Sequence, residues 1–325
     1  MDSNTVTVTS YANIAIVKYW GKKDEVKMIP STSSISLTLE GMYTTTSLSF
    51  LPPSAKGDQF YINGVLQDAK EHAKITAILD QFRQKDQAFV KVEASNSMPT
   101  AAGLSSSSSG LSALVKACNQ LFQAKLSQEE LAQKAKFASG SASRSFFGPV
   151  AAWDKDTGSI YRVKTDLKLA MIMLVLNDAR KPISSREGMK RCSTTSTSFD
   201  QWLSQSESDY QAMLRALSDN DFAAVGQLAE ANALAMHATT KTASPSFSYL
   251  TEASYQAMLR VKELRQEGYS CYFTMDAGPN VKVLCLEEDL ERLSRLFERG
   301  SIVLRYSLFK KARQPALIPL LNKAP

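Results

Sequence analysis

Cysteine is scarce: four in 325 residues. Cys118, Cys192, Cys271 and Cys285 show no metal or redox spacing, which argues against a zinc module or a disulfide-stapled scaffold. They read as reduced residues in or near the core. Histidine is scarcer, with two. His72 sits on a charged helix and carries no signal. His237, in N-A-L-A-M-H-A, reads as a residue ending a helix, favoured there by the dipole, rather than as a catalyst. The longest apolar run, Leu169 to Leu176, falls far short of the roughly 20 residues that cross a bilayer. Met1 to Asn4 carries no basic-then-apolar leader, so the expectation is a cytoplasmic protein with no membrane contact. A dense Lys/Arg block is missing too. The balance of 38 basic to 32 acidic residues, a net charge of +6, suits anionic ligands without singling out nucleic acid.

What remains is an ordinary globular composition, 44% hydrophobic and 22% charged, long enough for one large core or two medium ones. The first 65 residues are β-rich: Thr5–Thr9, Ser33–Leu39 and Thr44–Phe50 alternate, and Ile14–Val17 is β-branched. A helix is expected from about Ala69 to Phe82, and Ser127 with Glu130 forms a capping box for another through Lys136. Phe147–Trp153, Ser159–Val163 and the buried run Leu167–Leu176 read as strands. Helices then dominate, at Phe199–Leu217, Phe222–Met236 and Tyr249–Glu267. Strands Tyr269–Met275 and Val281–Leu286 follow, and a last amphipathic helix carries Leu290, Leu293 and Phe297. Strands and helices without a regular βαβ rhythm predict an α+β protein of two lobes, 1–180 and 181–325.

The most informative segment is P-T-A-A-G-L-S-S-S-S-S, Pro99 to Ser109. An apolar helical stripe starts at once after it (Leu111, Leu114, Val115, Cys118, Leu121, Phe122), and an alternating F-V-K-V-E precedes it. A strand, a small-residue turn and an anchored helix bring free N–H groups and the positive dipole end together, an anion site of the kind that takes a phosphate. The bland alternative is a Ser-rich linker. Neither the Walker A loop nor the G-x-G-x-x-G fingerprint is present.

Four more segments each allow two readings. Ala12 to Glu25, A-N-I-A-I-V-K-Y-W-G-K-K-D-E, offers Lys18, Lys22 and Lys23 as phosphate partners, or as solvated surface. Strand alternation puts Asn13 and Lys18 on opposite faces, so both serve one site only if the chain bends. Ser139 to Ser145, S-G-S-A-S-R-S, offers backbone donors and the forked Arg144, or a surface ion pair. Lys181 to Arg186, K-P-I-S-S-R, suits a diphosphate or a basic lid, or is a solvated interdomain loop. Asp276, in M-D-A-G-P-N, is a turn-forming Asp or a general base set on rigid strands.

Together these segments resemble the GHMP small-molecule kinase superfamily, whose phosphate loop P-x-x-x-G-L-x-S-S stands here at Pro99 to Ser107. Within it, A-N-I-A-I-V-K-Y-W-G-K-K-D, S-G-S-A-S-R-S, S-S-R-E-G-M and M-D-A-G-P-N-V resemble the diphosphomevalonate decarboxylase family, in order along essentially the whole chain. The resemblance implies an N-terminal lobe like domain 2 of ribosomal protein S5, a ferredoxin-like C-terminal lobe, and an active site between them. It implies conversion of diphosphomevalonate and ATP to isopentenyl diphosphate, ADP, phosphate and CO2. By the same resemblance Asp276 would accept or orient the hydroxyl proton, Arg144 would clamp the substrate carboxylate, and Asn13 would fix Arg144. Lys18, Tyr19, Lys22, Ser139, Gly140, Ser141, Ser185 and Arg186 would hold the substrate. Asn96, Pro99, Ala101, Ala102, Gly103, Leu104, Ser105, Ser106 and Ser107 would bind ATP, with Mg2+ neutralising it and Lys181 as a mobile cation closing over it. The metal ligands stay unassigned, and a homodimer is expected. The rivals are a superfamily kinase that stops at the phosphorylated product and a non-catalytic RNA-binding module.

Overall fold

Alternating N-terminal sequence forms β1 (Val6–Val17); a two-stranded ribbon, β2 (Lys22–Asp24) and β3 (Ile29–Pro30), follows, and β4 (Ser34–Phe50) returns antiparallel to β1. The computed structural model describes residues 5–84, 88–97, 106–177 and 181–297, and the backbone of Ile302–Ser307. The two alternating runs expected as separate strands are one. Gly41, at φ 90°, lets β4 bulge between them, and the register jumps from Tyr11–Tyr43 to Asn13–Thr38.

β5 (Gln59–Ile62), β6 (Val65–Leu66), α1 (Ala69–Leu79), β7 (Val90–Asn96), α2 (Ser106–Leu121), α3 (Gln128–Ala138), β8 (Val150–Trp153) and β9 (Ile160–Arg162) complete the first lobe. Its sheet runs β6-β5-β7-β4-β8-β9, with β1 also on β4. Asp68 caps α1 by accepting the Glu71 N–H, and α3 begins with the expected capping box. The apolar stripe of α2 buries Leu114, Val115, Cys118 and Leu121 against this sheet, each worth about 1.5–3 kcal/mol for the larger side chains. The strand expected from Phe147 starts only at Val150. Residues Gly140–Phe146 form a 3-10 turn, which the Phe147 N–H closes onto the Arg144 carbonyl.

The second lobe comprises β10 (Leu169–Val175), α4 (Ser185–Thr195), α5 (Phe199–Ser218), α6 (Phe222–Lys241), α7 (Glu252–Gln266), β11 (Tyr272–Met275), β12 (Val281–Leu286), α8 (Leu290–Arg295) and β13 (Ile302–Ser307). Its antiparallel sheet runs β11-β12-β10-β13. β10 belongs to this sheet, so the expected division at 180 moves ahead of Leu169. The strand reads as one apolar run because both faces are buried. Met171 and Met173 join a core shared with Ile14, Ile16 and Leu37 of the first lobe and Tyr210 and Met213 of α5. Ala170, Ile172 and Leu174 face Phe273, Val283 and Leu293. Three helix bounds also differ from expectation: α4 occupies a stretch read as polar loop, α6 continues past His237, and α7 starts after Tyr249. All four cysteines are buried and free.

Candidate active site

Between the two sheets lies a cleft of ≈ 340 Å³, walled by residues from β1, the start of α2, the 3-10 turn, α4, α6 and the end of β11. Asn13 and Lys18 both line it, and a bulge explains how. Between Ala15–Ser36 and Val17–Ile35 the register gains one residue on β1, which reverses the side-chain alternation. The Lys18 backbone is then pinned by neighbours: its N–H donates to Asn232 Oδ1 (2.7 Å), and its carbonyl accepts from Thr32 Oγ1 (3.1 Å). Trp20 is tied to the second lobe through Thr239 and Trp202.

Arg144 is no surface ion-pair residue. It is 2% exposed and bonded only to neutral groups: Nε to Ser36 Oγ (2.9 Å), Nη1 to Ser34 Oγ (2.7 Å) and Nη2 to Asn13 Oδ1 (3.5 Å). No carboxylate lies within ion-pair distance among the described residues. Asn13 is fixed in turn, its Nδ2 donating to the Ser141 carbonyl and to Ser145 Oγ, both at 2.8 Å. Burial lowers the guanidinium to about 10, so it remains charged at neutral pH.

Asp276 follows β11 directly and is 24% exposed at the side chain. Lys18 Nζ stands 3.0 Å from its Oδ1, and Lys282 Nζ 3.3 Å from its Oδ2. Burial alone would raise this carboxyl, but the two ammoniums outweigh it and hold it well below the usual carboxylate range. Burial likewise brings Lys18 down to about 8, partly offset by Asp276. Lys282 was not singled out from the sequence, although a lone charge in V-K-V-L-C-L was a legible signal. His237 corrects the dipole reading. It lies inside α6, and burial lowers it to about 3, so the ring is neutral and its Nε2 sits 3.1 Å from the Asp276 carbonyl oxygen.

The remaining expected residues divide. Ser106 and Ser107 open α2 at the cleft, and Tyr19, Ser139, Ser141, Lys181 and Ser185 also line it. The Tyr19 hydroxyl is buried with no hydrogen-bond partner among the described residues, and burial raises it. Gly140 is not a wall residue. A Cβ there would meet the Tyr19 ring at 2.7 Å, so the glycine lets that ring approach the turn. Lys22 is half-buried and Arg186 exposed, and neither lines the cleft. Their mutual repulsion adds to the burial that lowers Lys22. Lys181 is tied rather than open, donating to Ser185 Oγ and to the Ala277 carbonyl, both at 2.7 Å, over the Tyr249 ring.

The serine run also splits. Ser108 Oγ accepts the Asn13 N–H, and Ser109 and Ser112 bond Thr44 and Ser10, so these three fasten the helix to the sheet. Asn96 lines a second, mostly apolar cavity of ≈ 230 Å³ that shares Ser106 and Ser107 with the cleft. Pro99, Ala101, Ala102, Gly103, Leu104 and Ser105 lie outside the described residues.

Two sheets that share a core, with a serine-led helix start and a strand-end carboxylate on one cationic cleft, define the class: this is the two-lobed GHMP-kinase fold. The diphosphomevalonate decarboxylase-like N-terminal domain matches residues 10–160, and the mevalonate 5-diphosphate decarboxylase C-terminal domain matches 171–309. The chain belongs to the diphosphomevalonate decarboxylase family. It is 72% identical to a mevalonate pyrophosphate decarboxylase from Streptococcus pyogenes, with a TM-score of 0.92 over 95% of this chain and 98% of that one. A solved structure of MDDEF in complex with MVAPP, AMPPCP and magnesium is 40% identical, with a TM-score of 0.86 over 93% and 96%. Diphosphomevalonate decarboxylase mvd1 of Aspergillus fumigatus is 32% identical over 88% of this chain and 78% of its own length.

Proposed function

We propose that this chain uses ATP to convert diphosphomevalonate into isopentenyl diphosphate, ADP, phosphate and CO2. Arg144 carries the reading. A buried guanidinium held only by neutral groups is a site for an anion, and its fork fits a carboxylate. It shares one cleft with Asp276, Lys18 and the start of α2, so a substrate with its carboxylate on Arg144 can present a hydroxyl to Asp276.

Asp276 accepts the hydrogen bond of the tertiary 3-hydroxyl and orients its oxygen toward the γ-phosphate of ATP. A carboxylate held this acidic is a weak base, so the hydroxyl proton passes to it only late, as the new P–O bond forms and the bond to ADP breaks, and is then lost to solvent, which leaves Asp276 anionic again. Phosphate then departs from C3 with the C–O electron pair. The bond to the carboxylate breaks, its electrons close the terminal alkene, and CO2 is released. The anionic Asp276 favours the positive charge that develops at C3. Tyr19, Ser139, Ser141, Ser185, Lys22 and Arg186 would hold the rest of the substrate. The apolar walls of the second cavity, with Asn96, suit a nucleoside, and Ser106 and Ser107 lie between it and the cleft.

Among the described residues no group of three His, Cys, Asp or Glu could hold a metal alone. Mg2+ would be held by the nucleotide's phosphate oxygens with serine hydroxyls of α2, and would neutralise the triphosphate. The chain is further proposed to act as a homodimer, read by sedimentation equilibrium, and in the cytoplasm, where four buried free cysteines fit a reducing compartment.

The test is incubation with ATP, Mg2+ and diphosphomevalonate while CO2 and ADP are followed together. One CO2 per ADP is expected; ADP without CO2 makes the chain a kinase.

A further inference from the structure

Lys282 is a charge where the sheet should be apolar. It lies in β12 between Val281 and Val283, pairs with Met173 on one side and Thr274 on the other, and is 1% exposed. Burying an ammonium in such a place is costly unless it is paired. Among the described residues its one anionic partner is Asp276, at 3.3 Å, and its other contact is the Asn280 carbonyl at 3.2 Å. It does not line the cleft, whereas Lys18, on the other carboxylate oxygen, does. The two lysines are therefore not equivalent. A ligand rich in phosphate and carboxylate can draw on Lys18, but it cannot reach Lys282.

We infer that Lys282 is a positioning residue for the reaction: from inside the fold it stands within ion-pair reach of Oδ2 of Asp276, an oxygen with no hydrogen-bond partner among the described residues, so the carboxylate keeps a counter-ion when Lys18 turns to the ligands. This rests on the catalytic reading of Asp276. The charged and titratable groups facing Asp276 are Lys18 just after β1, Lys282 from β12, Lys181 ahead of α4, Arg144 from the 3-10 turn, and His237 from α6, which is neutral. Lys282 supplies the cation that stays.

The experiment compares K282M, and K282Q as a second variant with a polar but uncharged end, with the parent enzyme. The expected result is a loss in kcat of roughly tenfold or more, with KM for diphosphomevalonate and ATP within about threefold. The acid limb of kcat moves to higher pH by about one unit or more, because the carboxylate has lost a cation within ion-pair reach. Thermal unfolding stays close to that of the parent. Parental kcat with an unmoved acid limb overturns the inference. So does a joint loss of kcat, KM and unfolding temperature in both variants, which makes the lysine a scaffold residue. D276N with parental kcat would instead remove the catalytic reading of Asp276 itself.

Discussion

The two ends of the cleft bury charge in opposite ways. At the first-lobe end Ser34, Ser36 and Asn13 accept three of the five N–H donors of Arg144, and among the described residues no carboxylate lies within ion-pair distance of it. At the second-lobe end the Asp276 carboxylate has a lysine on each oxygen. A charge without a counter-ion gains most when a ligand of opposite sign arrives, which supports the proposed binding role of Arg144. A carboxylate flanked by two ammoniums is held in its charged form, which supports the proposed role of Asp276 as an acceptor.

The largest effect should come from breaking the second-lobe end. D276A is expected to lower kcat by about a thousandfold or more while diphosphomevalonate still binds, read by steady-state kinetics beside calorimetric binding. At the first-lobe end, R144K keeps the charge and loses the fork. A loss of roughly a hundredfold in kcat/KM is expected, and a lysine that serves as well would mean that the geometry of the fork is idle. K181A tests whether the cation now parked on Ser185 and Ala277 moves over ATP. Turnover at saturating ATP should fall by about tenfold, and an unchanged rate would remove Lys181 from the closing role.

The smallest effect concerns the support behind Asp276. Burial holds His237 down at about 3, below the ordinary histidine value, so the unfolded chain binds a proton that the folded chain refuses. Stability from this group is complete above about pH 6.5 and is lost as pH falls toward 3, by about 1.4 kcal/mol per pH unit. Urea unfolding of the parent and H237Q between pH 6.5 and 4.5 should show a shallower slope in the variant; parallel slopes would mean that His237 titrates in the folded state.

The legibility of each feature in the sequence tracks how local its cause is. The α2 stripe, the Ser127–Glu130 box and the strands of the first lobe depend on residues within a few positions of one another, and pattern reading reaches them. The helix at 185–195 was missed, because its polar surface hides a narrow buried stripe of Gly188, Met189 and Cys192. His237 was misread because its burial comes from packing at long range, not from its place on the helix. The β1 bulge has no local marker. Its parity change is visible only once Ile35 and Ser36 are paired opposite.

By itself the sequence determined an α+β chain with a serine-led helix start and a set of charged segments spaced as in one enzyme family. It could name the charges because residue type is local. Only the tertiary structure decided which of them are paired. It left Arg144 without a counter-ion among the described residues, set Lys282 behind Asp276, brought Asn13 and Lys18 to one wall and sent Ser108 into the sheet. Arg144 meets Ser34, Ser36 and Asn13, and Lys18 meets Asp276, across more than a hundred residues of chain, and the energy of a buried charge depends on such neighbours far more than on its own identity.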